Sequence, residues 1–294
     1  MKLYKTTITP ISSFATPLKG DTLFGQICWA IRYIYDEKRL NSLLKEYETK
    51  PFLIVSDGFT SGYLPKPTMP SSLLGEDLKD KKDNRKKIWL TQNDLERGNF
   101  KNAKKSSEIN EATAQTATIK NAINYLKFST DDSGVFSPYA VIETSFGKQD
   151  IYFLLDENFS VDELKKALKL VAIGYGKKAS VGKGHFSFDE ITQVSFKNEA
   201  KAFMTLSPCA FYGGDFSQCY YEPFTRFGKH GGALSNTNPF KAPLLLADTG
   251  AVITYEKPCV KDYIGRAIKG HSSHENAVHQ GYSIVIATEI YNAI

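Results

Sequence analysis

With 294 residues, 41% of them hydrophobic and 23% charged, the chain is long enough for two domains and apolar enough to bury real cores, which excludes general disorder. No apolar run approaches the ~18 residues needed to span a bilayer, so no membrane partner is expected. The formal net charge is +5, and the four cysteines (Cys28, Cys209, Cys219, Cys259) form no C-x-x-C pair, which argues against a disulfide framework or cysteine-rich zinc centre and fits a reducing cytoplasm.

The N-terminal residues Met1-Lys2-Leu3-Tyr4-Lys5 lead into no apolar h-region, so no secretory signal is expected. Residues 3–9 are rich in β-branched and aromatic types and predict a first strand. After a loop from Pro10 to Pro17, a helix is expected from Asp21 as N-cap, with Leu23, Phe24, Ile27, Ile31 and Ile34 along one face. A second short helix is expected over 40–47 and an inner strand over 52–55.

The periodicity then breaks. Gly58, Gly62, Pro65, Pro67 and Pro70 mark turns, and a polar run over 106–118 follows. Between them, residues 79–105 hold ten basic side chains against four acidic ones, a surplus of six in a chain whose total is +5. This cationic arm reads either as a solvated face or as a phosphate-seeking element. A weakly periodic insertion this long is usually functional or disordered.

Regular order resumes with two strands, over 139–146 and 150–155, joined near Gly147-Lys148, which read as one strand of the fold or as a hairpin. Ser160-Val161-Asp162-Glu163 is a capping box for a helix whose buried stripe is Leu164, Leu168 and Val171, and residues 185–188 form a strand. Strand, helix, strand, insertion, strand, helix, strand is the β-α-β-β-α-β order of an α+β, ferredoxin-like (RRM-like) fold. It defines a domain over 1–195 with an insertion at about 60–140. Residues 196–294 are strand-rich, with one short helix expected over 262–268, and read as a second, more β-rich and degenerate ferredoxin-like domain.

Between the last helix and strand of the first domain runs Gly174-Tyr175-Gly176-Lys177-Lys178-Ala179-Ser180-Val181-Gly182-Lys183-Gly184. A dinucleotide fingerprint follows a strand and opens a helix, the reverse of this context, and a Walker loop needs Ser or Thr after its lysine, where this chain has Gly184. Two readings remain: Gly174 as a helix C-cap followed by a solvated turn, or a flexible cationic cradle for an extended phosphate backbone.

These segments carry a resemblance. The run 16–31 (Thr-Pro-Leu-Lys-Gly-Asp-Thr-Leu-Phe-Gly-Gln-Ile-Cys-Trp-Ala-Ile), the turn Tyr63-Leu64-Pro65-Lys66-Pro67, the glycine loop and the run 278–285 (Val-His-Gln-Gly-Tyr-Ser-Ile-Val) together resemble the RAMP superfamily of CRISPR proteins. Within it, the chain is similar to the fourth subunit of type III-A (Csm) interference complexes. The resemblance implies two ferredoxin-like domains, a thumb-like insertion, no catalytic role and no cofactor. It implies crRNA, held by its 5′ repeat-derived tag, as a partner, together with a large cyclase- and polymerase-like subunit and a neighbouring backbone RAMP subunit. Carried onto this chain, the RNA role falls on Lys19, Gly20, Asp21 and Thr22 and on Gly174, Gly176, Lys177, Lys178, Ser180, Gly182, Lys183, Gly184 and His185. Phe14 is a candidate base-stacking platform.

Three other readings compete with this one. His271, His274, Glu275 and His279 form the one metal-like grouping, but Gly270, Ser272 and Ser273 favour a loop, and no metal is expected. Asp21 is explained by an N-cap without a metal, and Gly213-Gly214-Asp215 by a turn. The rival of another class is a metal-independent endoribonuclease that processes precursor crRNA with His185 or His230 as general base. A module that binds protein alone is the third.

Overall fold

The computed structural model describes residues 1–109, 113–130, 134, 136–211, 216–230 and 239–290. The Gly213-Gly214-Asp215 turn lies outside them. In chain order, β1 (Lys2–Pro10) leads through a loop to α1 (Gly20–Ile34), α2 (Glu37–Leu44), β2 (Leu53–Val55) and β3 (Phe59–Thr60). The insertion carries β4 (Leu64–Pro65), α3 (Lys81–Asn84), β5 (Lys87–Leu90), α4 (Gln92–Glu96), β6 (Lys104–Lys105), β7 (Ala114–Lys120) and β8 (Tyr139–Ser145). Then come β9 (Gln149–Leu155), α5 (Val161–Val171), β10 (Phe186–Phe188) and β11 (Thr192–Gln193). The rest is β12 (Glu199–Thr205), β13 (Gln218–Tyr220), β14 (Pro223–Arg226), β15 (Leu244–Ala247), β16 (Val252–Val260), β17 (Tyr263–Gly265) and β18 (Tyr282–Thr288). Among the described residues no helix is long and apolar enough to cross a membrane.

The first sheet has the order β10-β1-β9-β2 and is antiparallel throughout. β9 is buried along its whole length, as its continuous apolar run requires of a central strand. Ser160 caps α5, its hydroxyl accepting the Glu163 N–H while the glutamate reaches back to the Ser160 N–H, as the sequence predicts. The Leu164, Leu168 and Val171 stripe of α5 packs with Leu23, Phe24, Ile27 and Ile31 of α1 in one apolar cluster.

The second sheet, β13-β16-β12-β18-β17, is also antiparallel, and its inner residues Met204, Leu206, Ile284 and Ile286 belong to that same cluster. Gln280 fastens the two: its amide accepts the Val55 N–H and donates to the Val55 carbonyl, at 2.9 and 2.8 Å. The expected helix over 262–268 is β17 instead. Gly265 sits at φ +93°, where a Cβ would lie 2.2 Å from the Gly281 carbonyl oxygen, and that left-handed turn breaks any helix.

Two further expectations are corrected. β8 does not pair with β9; it forms a separate ribbon with β7, while β9 takes the centre of the first sheet. The insertion is also more ordered than its sequence suggests. β4, β5 and β6 form a small sheet, and Leu64, Leu90, Leu95 and Phe100 are buried in the main core. Strands of two to four residues are too short to show a period.

Candidate nucleic-acid interface

The glycine loop is a tied structure rather than a pliable one. Tyr175 donates its N–H to the Gly184 carbonyl (2.9 Å), and Gly184 donates to the Ser13 carbonyl (3.0 Å). Gly184 has φ +70°, and a Cβ there would sit 2.1 Å from the Tyr175 carbonyl oxygen; at Gly176, φ +76°, it would strike Thr16. Gly174 is not the left-handed cap the sequence suggests. It makes room for Ala179, whose Cβ would lie 2.8 Å from its own.

The loop lysines divide. Lys183 is committed to Glu143 of β8 at 2.5 Å and to the Ser13 hydroxyl at 2.9 Å, and this ion pair with the Ser13 bond holds the Glu143 carboxyl below the usual range. Lys178 donates to the Tyr139 hydroxyl at 2.6 Å and lies over its ring. Lys177 is exposed, as are Ser180, Gly182 and His185.

Those contacts join the loop to the β7–β8 ribbon. Phe14 completes the anchor by exchanging backbone hydrogen bonds with Thr144 at 2.9 and 2.8 Å. The ribbon's far end, residues 119–128, exposes Tyr125, Leu126 and Phe128 at 82%, 94% and 84%. Loop and insertion, separated by some forty residues of sequence, thus form one surface of cations and unpacked aromatic rings, a combination suited to phosphates and stacked bases. The aromatics are not those the sequence suggests: Phe14 is buried against Phe146, Tyr175 and Phe186.

The Lys19–Thr22 turn is placed differently. Lys19 is half-buried, 2.6 Å from Asp248 and 2.9 Å from Asp57, over the Phe224 ring. Burial pushes its ammonium down, but Asp57 and Asp248 more than restore it, and its charge is neutralised where it stands. Gly20 is buried, and the close approach of the Val55 carbonyl oxygen, 2.2 Å from where a Cβ would lie, requires glycine there. Asp21 is not the N-cap. The helix begins one residue earlier, and the Asp21 carboxylate, 5% exposed, takes both arms of the Arg226 guanidinium from β14, while Thr22 accepts from Arg226 at 2.9 Å.

The histidines regroup in space. His271 faces His279 at 5.8 Å between ring centres, and His230 faces His274 at 4.9 Å. His230 is buried with Nε2 2.6 Å from the Ser272 hydroxyl, whereas His185 lies exposed beside the glycine loop. Among the described residues no three His, Cys, Asp or Glu side chains converge as a metal site. Burial pushes His271 down to about 4, with Lys241 adding to it. Burial likewise takes His279 to about 4 against the pull of Asp21 3.5 Å away.

Both imidazoles are therefore neutral in the fold and bind protons more readily when unfolded, near the ordinary 6.5. Their stabilisation is complete above pH ~6.5 and is lost as pH falls towards 4, on the order of 3 kcal/mol per imidazole over the whole window. Melting temperature is expected to be flat from pH 8 to 7 and to fall steadily from pH 6.5 to 5. The double variant His271→Asn, His279→Gln should flatten that slope, and an unchanged slope would assign it to other groups.

Sequence reasoning missed Glu143, Tyr139 and Arg226, because nothing local distinguishes a residue whose partner arrives from elsewhere in the chain. The fold and surface define an α+β protein with antiparallel sheets and a helix-to-strand glycine loop. A family model described as the RAMP superfamily matches residues 16–187, more than half of the chain, and the chain belongs to that superfamily. Among solved structures, it is similar over 98% of its length to the whole of a chain in the Csm3–Csm4 subcomplex of the type III-A CRISPR-Cas interference complex, with TM-score 0.63 and 16% identity. It is similar over 100% of both chains to one in the Csm1–Csm4 cassette in complex with pppApA, with TM-score 0.61 and 16% identity. At such identities the likeness is one of fold. No curated protein matches the chain.

Proposed function

We propose that this chain is a non-catalytic, RNA-binding scaffold subunit of a type III-A CRISPR effector complex, acting in the cytoplasm. In this reading the glycine loop and the β7–β8 ribbon hold the 5′ repeat-derived tag of a crRNA. Other faces dock a large cyclase- and polymerase-like subunit and a neighbouring backbone RAMP subunit. Membership of the RAMP superfamily and the full-length fold likeness support the assembly role. The β10-β1-β9-β2 order supports a ferredoxin-like first domain over 1–195, with the ribbon as the thumb of its insertion. Residues 196–294 are then the degenerate second copy, keeping the antiparallel sheet.

The observation that carries the RNA reading is the continuity of the loop with the ribbon through Lys178 and Tyr139. Lys177→Ala with Lys178→Ala is expected to weaken retention of tag-bearing RNA on a filter and to flatten the salt dependence by up to about 1.4 in slope, at about 0.7 per lost single-strand contact. Lys183 is left in place because removing it strands the buried Glu143. Unchanged affinity and slope would take the loop out of the interface. Incubation with repeat RNA, with and without EDTA, is expected to give no defined product. Cleavage that disappears in His185→Ala would restore the ribonuclease reading.

A further inference from the structure

A second concentration of chemistry-bearing side chains shares no residue with the loop and ribbon. α1 and α2 on one side and residues 273–278 on the other enclose an open cleft of about 540 Å³. That volume is in the range of small-molecule sites. Phe24, Leu40, Leu44 and Val278 make its wall apolar, and Lys241, His230 and His274 also line it.

Lys241 is the unusual group. Among the described residues its ammonium has neither a hydrogen-bond nor an ion-pair partner, and burial pushes it below the usual lysine range. The nearby groups that might neutralise it are already committed. Asp21 is held by Arg226, and burial keeps the Cys28 thiol protonated, pushed up to about 12. Glu37 pairs with Arg32 at 2.7 Å, and Glu275, exposed on the rim, is not among the charges that act on Lys241. A half-buried cation left without a counter-charge is costly unless an anion arrives from outside. An anion alone fills little of the cleft. The rest is an apolar slot bordered by Asn41, Ser273 and Asn276, which suits a flat ring with a hydrogen-bonding edge.

We propose that this cleft binds a nucleoside 5′-phosphate, free or as the first residue of an RNA, with the phosphate at Lys241 and the nucleoside along the apolar wall. The site goes beyond the RNA-holding surface and needs neither the glycine loop nor the ribbon.

Calorimetric titration of the full chain with adenosine monophosphate is the test, with adenosine, inorganic phosphate, and short RNAs bearing a 5′-phosphate or a 5′-hydroxyl as the other arms. Adenosine monophosphate is expected to bind roughly tenfold or more tightly than adenosine or phosphate, as loss of a charge-assisted contact implies. Lys241→Met should remove that preference while melting no lower than the parent, since it deletes a half-buried charge that has no counter-charge among the described residues. Should that variant fail to fold, Asn276→Ala on the exposed rim is expected to weaken the nucleotide about threefold at unchanged melting temperature. A Lys241-dependent preference for the 5′-phosphorylated RNA assigns the site to an RNA end; equal binding of the two RNAs assigns it to the free nucleotide. No binding of adenosine monophosphate at millimolar concentration, phosphate binding as tightly as the nucleotide, or full binding by Lys241→Met overturns the proposal. RNA retention through Lys177 and Lys178 is read separately and survives either result.

Discussion

Replacing Gly184 by alanine is expected to cost about 3 kcal/mol or more and to lower the melting temperature by roughly 5–10 °C. Two effects add. At φ +70° an L-residue costs about 1–2 kcal/mol against glycine. The new Cβ would also sit 2.1 Å from the Tyr175 carbonyl oxygen and 2.7 Å from its nitrogen, both backbone atoms that cannot swing aside. Relief requires opening the hydrogen bonds that join Tyr175, Gly184 and Ser13, and with them the seat of the buried Tyr175 ring. Gly182→Ala is the control. Its φ is +84°, but no atom lies within 4 Å of the added carbon, so only the conformational cost of about 1 kcal/mol remains. Equal melting temperatures for the two variants would show that the loop is as loose as its composition suggests. RNA retention is expected to fall in the Gly184 variant even though no phosphate-binding group has been removed.

Lys19→Met is the second large effect, with an expected loss of about 3 kcal/mol. The Lys19 ammonium is shared by Asp57 and Asp248, and Asp57 is buried. Removing the cation leaves Asp57 with the Gly20 N–H and the Thr249 hydroxyl, at 2.7 and 2.5 Å, but without a counter-charge. Adding Asp57→Asn should recover much of the loss, because the double variant buries no unpaired charge. Denaturant unfolding of the parent, the two single variants and the double variant measures the coupling. A Lys19 that served RNA would behave oppositely: stability would hold and RNA affinity would fall.

The contrast between Lys19 and Lys177 shows where the sequence is legible. Both stand in glycine-flanked turns of similar composition, and both read as phosphate contacts. One is exposed, while the other meets carboxylates 38 and 229 residues further along. The capping box at Ser160 and the stripe of α5 could be read because each partner lies within a turn of the same helix. The apolar run of β9 marked a strand for the same reason, since its residue types carry that signal themselves, while its central place came from the partners that pair on either side. The short strands of the insertion gave no such signal, since two to four residues hold no period, and their order comes from Leu64, Leu90 and Phe100 entering a core built by others.

What the residues alone determined is the order of the long elements, the α+β character and the presence of a lysine-bearing glycine loop between a helix and a strand, because each depends on neighbours within a few positions. Tertiary structure decided the rest. It spent the charges of Lys19 and Lys183 on buried carboxylates, left Lys177 exposed, and turned Phe14 inward while setting Tyr125 and Phe128 outward. Charge and exposure belong to contacts between distant segments, and a cation is available to a ligand only where the fold supplies no acid to meet it.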